Sequence, residues 1–147
     1  MKLSENFTLA EMVFSQTAAR LGIDNTPGPV EIENLRALCL HILQPLRDSL
    51  GTPIRINSGY RCPALNRAIH GSHKSQHMTG AAADIDVPGK TPLAVATLIV
   101  DLNLPYDQVI HEFVSWVHVS YDPDNNRRAQ LTAMLVDGRT QYINGLS

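Results

Sequence analysis

The sequence predicts an α+β fold in which N-terminal helices pack on a central antiparallel sheet. The first half of the chain carries apolar residues at helical spacing, whereas the second half carries short runs typical of strands. A run of helices followed by a run of strands, rather than a regular alternation of the two, favours an antiparallel sheet over a parallel one.

Two helices are predicted in the N-terminal third of the chain. Thr8 is followed three residues later by Glu11, a capping-box pattern, so a short helix begins there and Gly22 can end it. A second helix is predicted from about Val30 to Ser49, where apolar residues recur at helical spacing. Pro45 lies inside this helix and should kink it, because proline lacks the N–H that a helix interior uses.

Short elements are predicted in the middle of the chain. Ile54 to Asn57 is predicted as a strand, and Pro63 to Ile69 as a short helix. Thr91 and Pro92 supply an N-cap and a first helical position for a helix that runs through about Leu102.

The remaining strands are predicted where β-branched and aromatic residues concentrate in short runs. These runs are Asp84 to Val87, Gln108 to Glu112, Trp116 to Tyr121, Ala129 to Val136 and Thr140 to Ile143. Asp137-Gly138 separates the last two and is a strong signal for a hairpin turn.

A candidate metal site lies in the run Ser75-Gln-His-Met-Thr-Gly-Ala-Ala-Ala-Asp84. His77 and Asp84 are seven positions apart, so neither one helical turn nor one strand can bring both side chains onto one ion. Gly80 lies between them and can supply the bend, and the alanines after it allow close backbone approach. The spacing permits a metal site without demanding one.

A third ligand and a general base are available from two later strands. Alternation places His118 and Trp116 on one face of the later strand and Glu112 on one face of the earlier strand. If these strands pair, Glu112 and His118 can face the same cavity. Two histidines and one aspartate would then hold zinc with one coordination position left for water, and Glu112 would move the proton.

The combined pattern of Ser58-Gly-Tyr-Arg61, Ser75-x-His77-x-x-Gly80-x-Ala82-x-Asp84 and Trp116-Val-His118 resembles a zinc peptidase family. This family contains D-alanyl-D-alanine carboxypeptidases and phage L-alanyl-D-glutamate endopeptidases, and the hedgehog signalling domain shares its fold and ligand pattern. The resemblance covers about Thr52 to Tyr121, and Phe7 to Pro27 is similar to the start of a phage-type or bacterial subgroup. It implies a hedgehog-like, D-Ala-D-Ala-peptidase-like arrangement of the α+β fold.

Residue by residue, the resemblance implies that His77, Asp84 and His118 bind zinc and that Arg61 binds a carboxylate of a peptide substrate. The guanidinium group suits this role, since it is always charged and presents a planar fork of donors that matches a carboxylate. The alternative for Arg61 is a side chain that stabilises a turn.

The position of the catalytic acid departs from the pattern of many family members. They place it three residues before the last histidine ligand, where this chain has Ser115. Glu112 lies six residues before that ligand, as in the hedgehog domain, and is the candidate base; its alternative is a surface carboxylate. Ser75, Trp116 and His73 are further candidates for contact with the substrate, although Trp116 could belong to the core and His73 to an exposed loop.

The predicted function is hydrolysis of an amide bond in a peptidoglycan stem peptide by a zinc metallopeptidase. The resemblance implies either a D-Ala-D-Ala carboxypeptidase or an L-Ala-D-Glu type endopeptidase, and a phage or prophage lysin as the biological role. Two alternatives stay open: a non-catalytic zinc-binding structural or binding module of a phage particle, and a soluble domain without metal.

Composition indicates a single enzyme domain over residues 1–147, expected to be monomeric. The formal net charge of -2 gives no indication of binding to nucleic acid or to a membrane. Arg127-Arg128 is interpreted as a solvated loop. Cys39 and Cys62 are expected to be reduced. The N-terminus lacks the apolar core of a signal peptide, so we expect synthesis in the cytoplasm and action on the cell wall after release or delivery.

Overall fold

The structure is a computed structural model that describes residues 1–147. A six-stranded mixed sheet with the order β1-β2-β4-β3-β5-β6 forms its centre. The strands are β1 (Arg55–Ser58), β2 (Ala82–Asp86), β3 (Gln108–Glu112), β4 (Trp116–Ser120), β5 (Ala129–Val136) and β6 (Arg139–Asn144). The helices are α1 (Leu9–Val13), α2 (Gln16–Leu21), α3 (Pro29–Leu38), α4 (Gln44–Leu50), α5 (Pro63–Ala68) and α6 (Pro92–Asp101), with a π turn at Cys39–Leu43 and a 3-10 turn at Gln76–Thr79.

The α+β class is confirmed, but the sheet is not wholly antiparallel. β3 and β5 pair in parallel, with Gln108 opposite Ala129, whereas the other four neighbouring pairs are antiparallel. After β4 the chain crosses to the other side of β3, where β5 pairs with β3 in the same direction. The prediction of an antiparallel sheet is wrong at this pair, because alternation assigns residues to faces but does not give strand direction.

The predicted first helix is divided into α1 and α2. The capping box is present at α1: Thr8 Oγ1 accepts a hydrogen bond from Glu11 N at 3.3 Å, and Glu11 Oε1 accepts one from Thr8 N at 3.0 Å. Phe14 is extended and ends α1, and the side chain of Ser15 caps α2. Gly22 ends α2 in the left-handed conformation, as predicted.

The disturbance expected at Pro45 takes the form of the π turn between α3 and α4. The three segments are continuous from Pro29 to Leu50 and end at Gly51, which has a φ of 69°. In a regular α-helix the ring of Pro45 would clash with the carbonyl group of His41, and the wider turn relieves this clash.

One face of the sheet packs against the helices and forms the hydrophobic core. Fully buried side chains of α3, the π turn and α4 meet those of the strands; they include Leu35, Leu38, Ile42, Leu46, Ile85, Val109, Val117 and Val119. Burial of each such side chain contributes about 1.5–3 kcal/mol. Cys39 and Cys62 are buried and unpaired. No helix is both long enough and apolar enough to cross a bilayer.

The turn between β3 and β4 holds two consecutive residues in an unfavourable backbone conformation. Phe113 and Val114 have φ values of 55° and 57°, and Ser115 N closes the turn by donating to Glu112 O at 2.9 Å. This left-handed region costs an L-residue about 1–2 kcal/mol and is least suited to a β-branched side chain. Val114 is 78% exposed, so its side chain gains little from burial in return.

Replacement of Val114 by asparagine is expected to raise the free energy of unfolding by about 1 kcal/mol, because asparagine tolerates the left-handed conformation. Val114→Thr is the matched control, since threonine is polar but remains β-branched. Urea unfolding of the three proteins measures the effect. Equal stabilities of the two variants would show that the backbone conformation is not the cause.

Candidate metal centre

Side chains from three segments meet at one point on the face of the sheet opposite to the core. His77 comes from the 3-10 turn, Asp84 from β2 and His118 from β4, and one donor atom of each lies within 4.8 Å of the others. Asp84 Oδ1 is 3.3 Å from His77 Nε2 and 3.1 Å from His118 Nδ1. The structure therefore brings the three predicted ligands together.

The bend between His77 and Asp84 depends on Gly80. Its φ is 78°, and a Cβ at this position would lie 2.5 Å from the carbonyl oxygen of Glu31 in α3. Glycine is required for both reasons, since it adopts positive φ without strain and has no Cβ. After the bend, β2 pairs with β4 so that Asp84 lies directly opposite His118.

The orientation of His77 is set by Gly59, the residue that follows β1. His77 Nδ1 donates a hydrogen bond to Gly59 O at 2.7 Å, which leaves the lone pair of Nε2 directed at Asp84. A Cβ at position 59 would collide with the carbonyl oxygen of Met12. Glycine therefore lets the backbone approach α1 closely enough to present its carbonyl group to His77.

The protonation states of the cluster suit a metal ion. Burial lowers the pKa of His77, although the neighbouring Asp84 opposes this effect, so the ring is neutral as a metal ligand must be. Burial alone would raise the pKa of Asp84, but His77 and His118 outweigh it and hold this pKa well below its ordinary value. Two imidazole nitrogen donors and one carboxylate oxygen fit a divalent transition metal in tetrahedral coordination.

Glu112 lies beside the cluster at the end of β3. Its Oε1 is 3.6 Å from His118 Nδ1, so the predicted parity of these two strands is correct. Burial raises the pKa of Glu112 to about 7, and the charge of Asp84 adds to this effect while His118 and Arg61 oppose it. A carboxyl group with such a pKa can both accept and return a proton near neutral pH.

Arg61 brings a positive charge to the same region. Its backbone N–H donates to His77 O at 3.0 Å, and its Nε is buried without a hydrogen-bond partner. Burial lowers the pKa of the guanidinium, and the negative charges of Asp84 and Glu112 partly compensate. The group stays charged and is available to an anionic ligand.

The cluster opens into a cleft of about 500 Å³. Of the residues predicted to contact the substrate, Arg61, Ser75 and Trp116 line this cleft, whereas His73 is not part of its lining. Ser75 Oγ also accepts a hydrogen bond from His77 N at 3.2 Å and caps the 3-10 turn. The cleft is further lined by residues that the sequence did not single out, including Lys74, Gln76, Gln108, Leu131 and Tyr142.

A family model described as peptidase M15 matches residues 5–120, which include the three clustered side chains, Arg61 and Glu112. The chain belongs to the peptidase M15 family. This match confirms the family predicted from the motifs and, with it, the predicted class of enzyme, a peptidase. β5 and β6 lie beyond the matched residues.

The M15 chain is also similar to a zinc D-Ala-D-Ala carboxypeptidase from Streptomyces albus G. The two are 36% identical over an alignment of 84 residues, which covers 54% of this chain and 31% of that protein. The M15 chain thus spans less than a third of the length of this relative.

Sequence reasoning missed a buried polar network behind the cleft of the M15 chain. The side chain of Asp107 is 2% exposed and accepts hydrogen bonds from Gln76 Nε2 at 2.8 Å and from Arg127 Nε and Nη2 at 2.9 and 2.8 Å. Arg127 and Arg128 lie in an exposed loop, as interpreted from the sequence, but the sequence did not indicate that Arg127 pairs with the buried Asp107. Gln76 and Arg127 lie 31 and 20 positions from Asp107 in the sequence, so no local pattern indicates these contacts.

Asp107→Asn is expected to lower the stability of the M15 chain by about 1–2 kcal/mol at neutral pH. The hydrogen bonds from Arg127 lower the pKa of Asp107 from 3.8 to about 2. Because the folded pKa is depressed, the stabilisation is complete above the ordinary value and is lost as the pH falls from about 4 to 2.

Urea unfolding between pH 7 and pH 2 measures this effect, with the exposed Asp124→Asn as the matched control. The difference in free energy of unfolding between wild type and Asp107→Asn should become smaller as the pH falls from about 4 to 2. A difference that is independent of pH would contradict an electrostatic origin.

Proposed function

We propose that this M15 chain binds zinc through His77, Asp84 and His118 and hydrolyses an amide bond in a peptidoglycan stem peptide. The observation that carries the proposal is a cluster of three donor atoms that opens into a cleft, with the carboxyl group of Glu112 beside it. Structural zinc sites are closed by four protein ligands, whereas catalytic sites use three and leave one position open. The arrangement therefore favours catalysis over the non-catalytic alternative.

The residues of the chain divide the chemistry among them. Zinc held by His77, Asp84 and His118 would supply a Lewis acid, which polarises a carbonyl group and lowers the pKa of water towards neutrality. Glu112 accepts the proton of the attacking water and returns it to the leaving nitrogen. Arg61 binds a carboxylate of the substrate and so holds the scissile bond at the cluster.

The surroundings of Arg61 support an endopeptidase of the L-Ala-D-Glu type over a carboxypeptidase. Arg61 lines the cleft and also a second cavity of about 500 Å³, whose lining includes Phe14 and Ile69. A carboxypeptidase needs a pocket that closes around the terminal carboxylate, whereas Arg61 borders two cavities here. The Streptomyces albus G relative is, by its name, a carboxypeptidase, which favours the other possibility. Identification of the bond that is cut distinguishes the two.

Other parts of the proposal rest on the resemblance of the motifs. Ser75 and Trp116 contact the substrate from the lining of the cleft, and His73 contacts it from the loop before the 3-10 turn. A hedgehog-like arrangement of the fold, a monomeric state and a role as a phage or prophage lysin belong to the same proposal.

Elemental analysis and mass spectrometry test the function together. Purified protein should contain about one equivalent of zinc and should release new amino termini from defined muropeptides. A chelator should stop this release and added zinc should restore it, while the masses of the fragments identify the bond. A full equivalent of zinc without release of amino termini would support the non-catalytic module. A content of less than about half an equivalent of zinc, with no activity after zinc is added, would reject the zinc site.

A further inference from the structure

The hairpin of β5 and β6 forms a wall of the cleft that the family match does not include. Leu131 of β5 and Tyr142 of β6 line the cleft, and both lie beyond residue 120, where the match to the M15 family ends. Asp137 and Gly138 connect the strands with positive φ values of 53° and 76°, the conformation of a tight hairpin turn. The wall is therefore a regular paired element with a fixed register.

Tyr142 lies in one row with Glu112 across the sheet. Glu112 is opposite Trp116 on β4 and opposite Ala133 on β5, and Ala133 is opposite Tyr142 on β6. Neighbouring strands are about 4.8 Å apart, so the backbone of Tyr142 is about 10 Å from that of Glu112. Only the methyl side chain of Ala133 lies between them, and it is 1% exposed.

The side chain of Tyr142 lines the same cleft as the cluster and Glu112. Burial raises the pKa of Tyr142, and the negative charges of Glu112 and then Asp84 add to this effect. Tyr142 is nevertheless 59% exposed, so a ligand in the cleft can reach it. The ring is thus both close to the carboxylates and accessible.

A peptide bound in this cleft needs hydrogen-bond donors for its carbonyl groups. The carboxylates of Asp84 and Glu112 can only accept hydrogen bonds when they are ionised, and Leu131 is apolar. Among the side chains that the hairpin contributes to the lining, only Tyr142 carries a donor, its phenol O–H. The exposed side chain of Tyr142 forms no hydrogen bond within the protein, so the hydroxyl is available to a ligand.

We propose that Tyr142 forms a substrate subsite in which its hydroxyl donates a hydrogen bond to a carbonyl oxygen of the bound peptide, away from the scissile bond. This inference rests on the proposed peptidase function. An extended peptide advances about 3.3 Å per residue, so the separation of about 10 Å places the contact away from the bond that is cut. Tyr142 therefore contributes to substrate binding and not to the chemical step.

The test compares Tyr142→Phe with wild type on a muropeptide that wild type cleaves. KM should rise about 5- to 10-fold while kcat stays within about twofold, because the lost hydrogen bond acts equally in the ground and transition states. Tyr121→Phe is the matched control; Tyr121 stacks on His41 with ring centroids 4.7 Å apart and does not line the cleft. Thermal unfolding of both variants should match that of wild type.

Shortened substrates locate the subsite. One peptide is shortened on the amino side of the scissile bond and a second on the carboxyl side. The peptide that lacks the carbonyl group bound by Tyr142 should give wild type and Tyr142→Phe the same KM within about twofold. Calorimetry measures the Kd of the intact peptide for the Glu112→Gln variant, which does not cleave it. The double variant Glu112→Gln, Tyr142→Phe should have a Kd about 5- to 10-fold higher than that of Glu112→Gln alone.

The outcomes separate this inference from the function on which it rests. An unchanged KM and Kd for the full peptide would overturn the subsite while leaving the peptidase function standing. A fall in kcat with constant KM would overturn it too, since the contact would then be at the reacting carbonyl group. If wild type neither binds nor cleaves muropeptides, the proposed function fails and the subsite fails with it.

Discussion

Replacement of Glu112 by glutamine should lower kcat for muropeptide hydrolysis by about 10²- to 10⁴-fold and leave zinc binding intact. Glutamine has nearly the same shape but cannot accept a proton from water. The three clustered donor atoms belong to other residues, and Glu112 Oε1 is 3.6 Å from His118 Nδ1, close enough to act on water at the cluster. Initial rates at saturating substrate and the zinc content of each protein measure the two effects.

Glu33→Gln is the matched control for this experiment. Glu33 is a helix residue whose side chain is 70% exposed and pairs only with Arg36, so its replacement removes one negative charge without touching the cleft. A Glu112→Gln protein that cleaves within about threefold of wild type would remove Glu112 from the mechanism. Loss of zinc from this variant would instead make Glu112 a ligand.

Asp84→Asn should raise the Kd for zinc by more than about 100-fold. Loss of a residue that only hydrogen-bonds to a metal ligand costs about 10- to 100-fold in affinity, and loss of a ligand should cost more. Asp84 Oδ1 lies between the two histidines, at 3.3 Å from His77 Nε2 and 3.1 Å from His118 Nδ1. The pKa of Asp84 lies well below its ordinary value, so the wild-type side chain offers a full negative charge at neutral pH. An amide has no such charge and is a poor ligand.

Zinc affinity is measured by competition with a chelating dye, and thermal unfolding with and without zinc gives a second readout. Zinc at about 100 times its Kd should stabilise wild type by about 2.7 kcal/mol, and the same concentration should leave Asp84→Asn nearly unchanged. Asp86→Asn is the control, since Asp86 lies two residues further along β2 and pairs with Arg55 at 3.5 Å. Equal zinc affinities of the two variants would remove Asp84 from the ligand set.

The meeting of the three proposed ligands could be predicted because their placement follows largely from local rules. Gly80 signals the bend between His77 and Asp84, and strand alternation alone puts His118 and Glu112 on the face that does not pack against the helices. The capping residues Thr8 and Thr91 likewise locate helix starts from a few neighbouring letters. Each of these features is determined within about ten residues of chain.

The remaining features depend on contacts between distant segments. The network of Asp107 joins the 3-10 turn to the loop before β5, and no periodicity relates these positions. Tyr142 reaches the cleft only because β5 pairs with β3 in parallel, so that β6 extends the sheet beside Glu112. The order and direction of strands are set by the packing of the whole sheet, which a pattern of alternation does not contain.

Gly59 gives the N-terminal segment influence over how long a metal ion stays bound. The carbonyl group of Gly59 orients His77, and the backbone beside it is held by α1, where Tyr60 N donates to Met12 O at 2.8 Å. Opening of this segment frees the carbonyl group and lets the imidazole turn away. We therefore expect the residence time of a bound ion to depend on local unfolding of α1, which contributes no residue to the cluster, and proteolysis there should speed metal loss before the core unfolds.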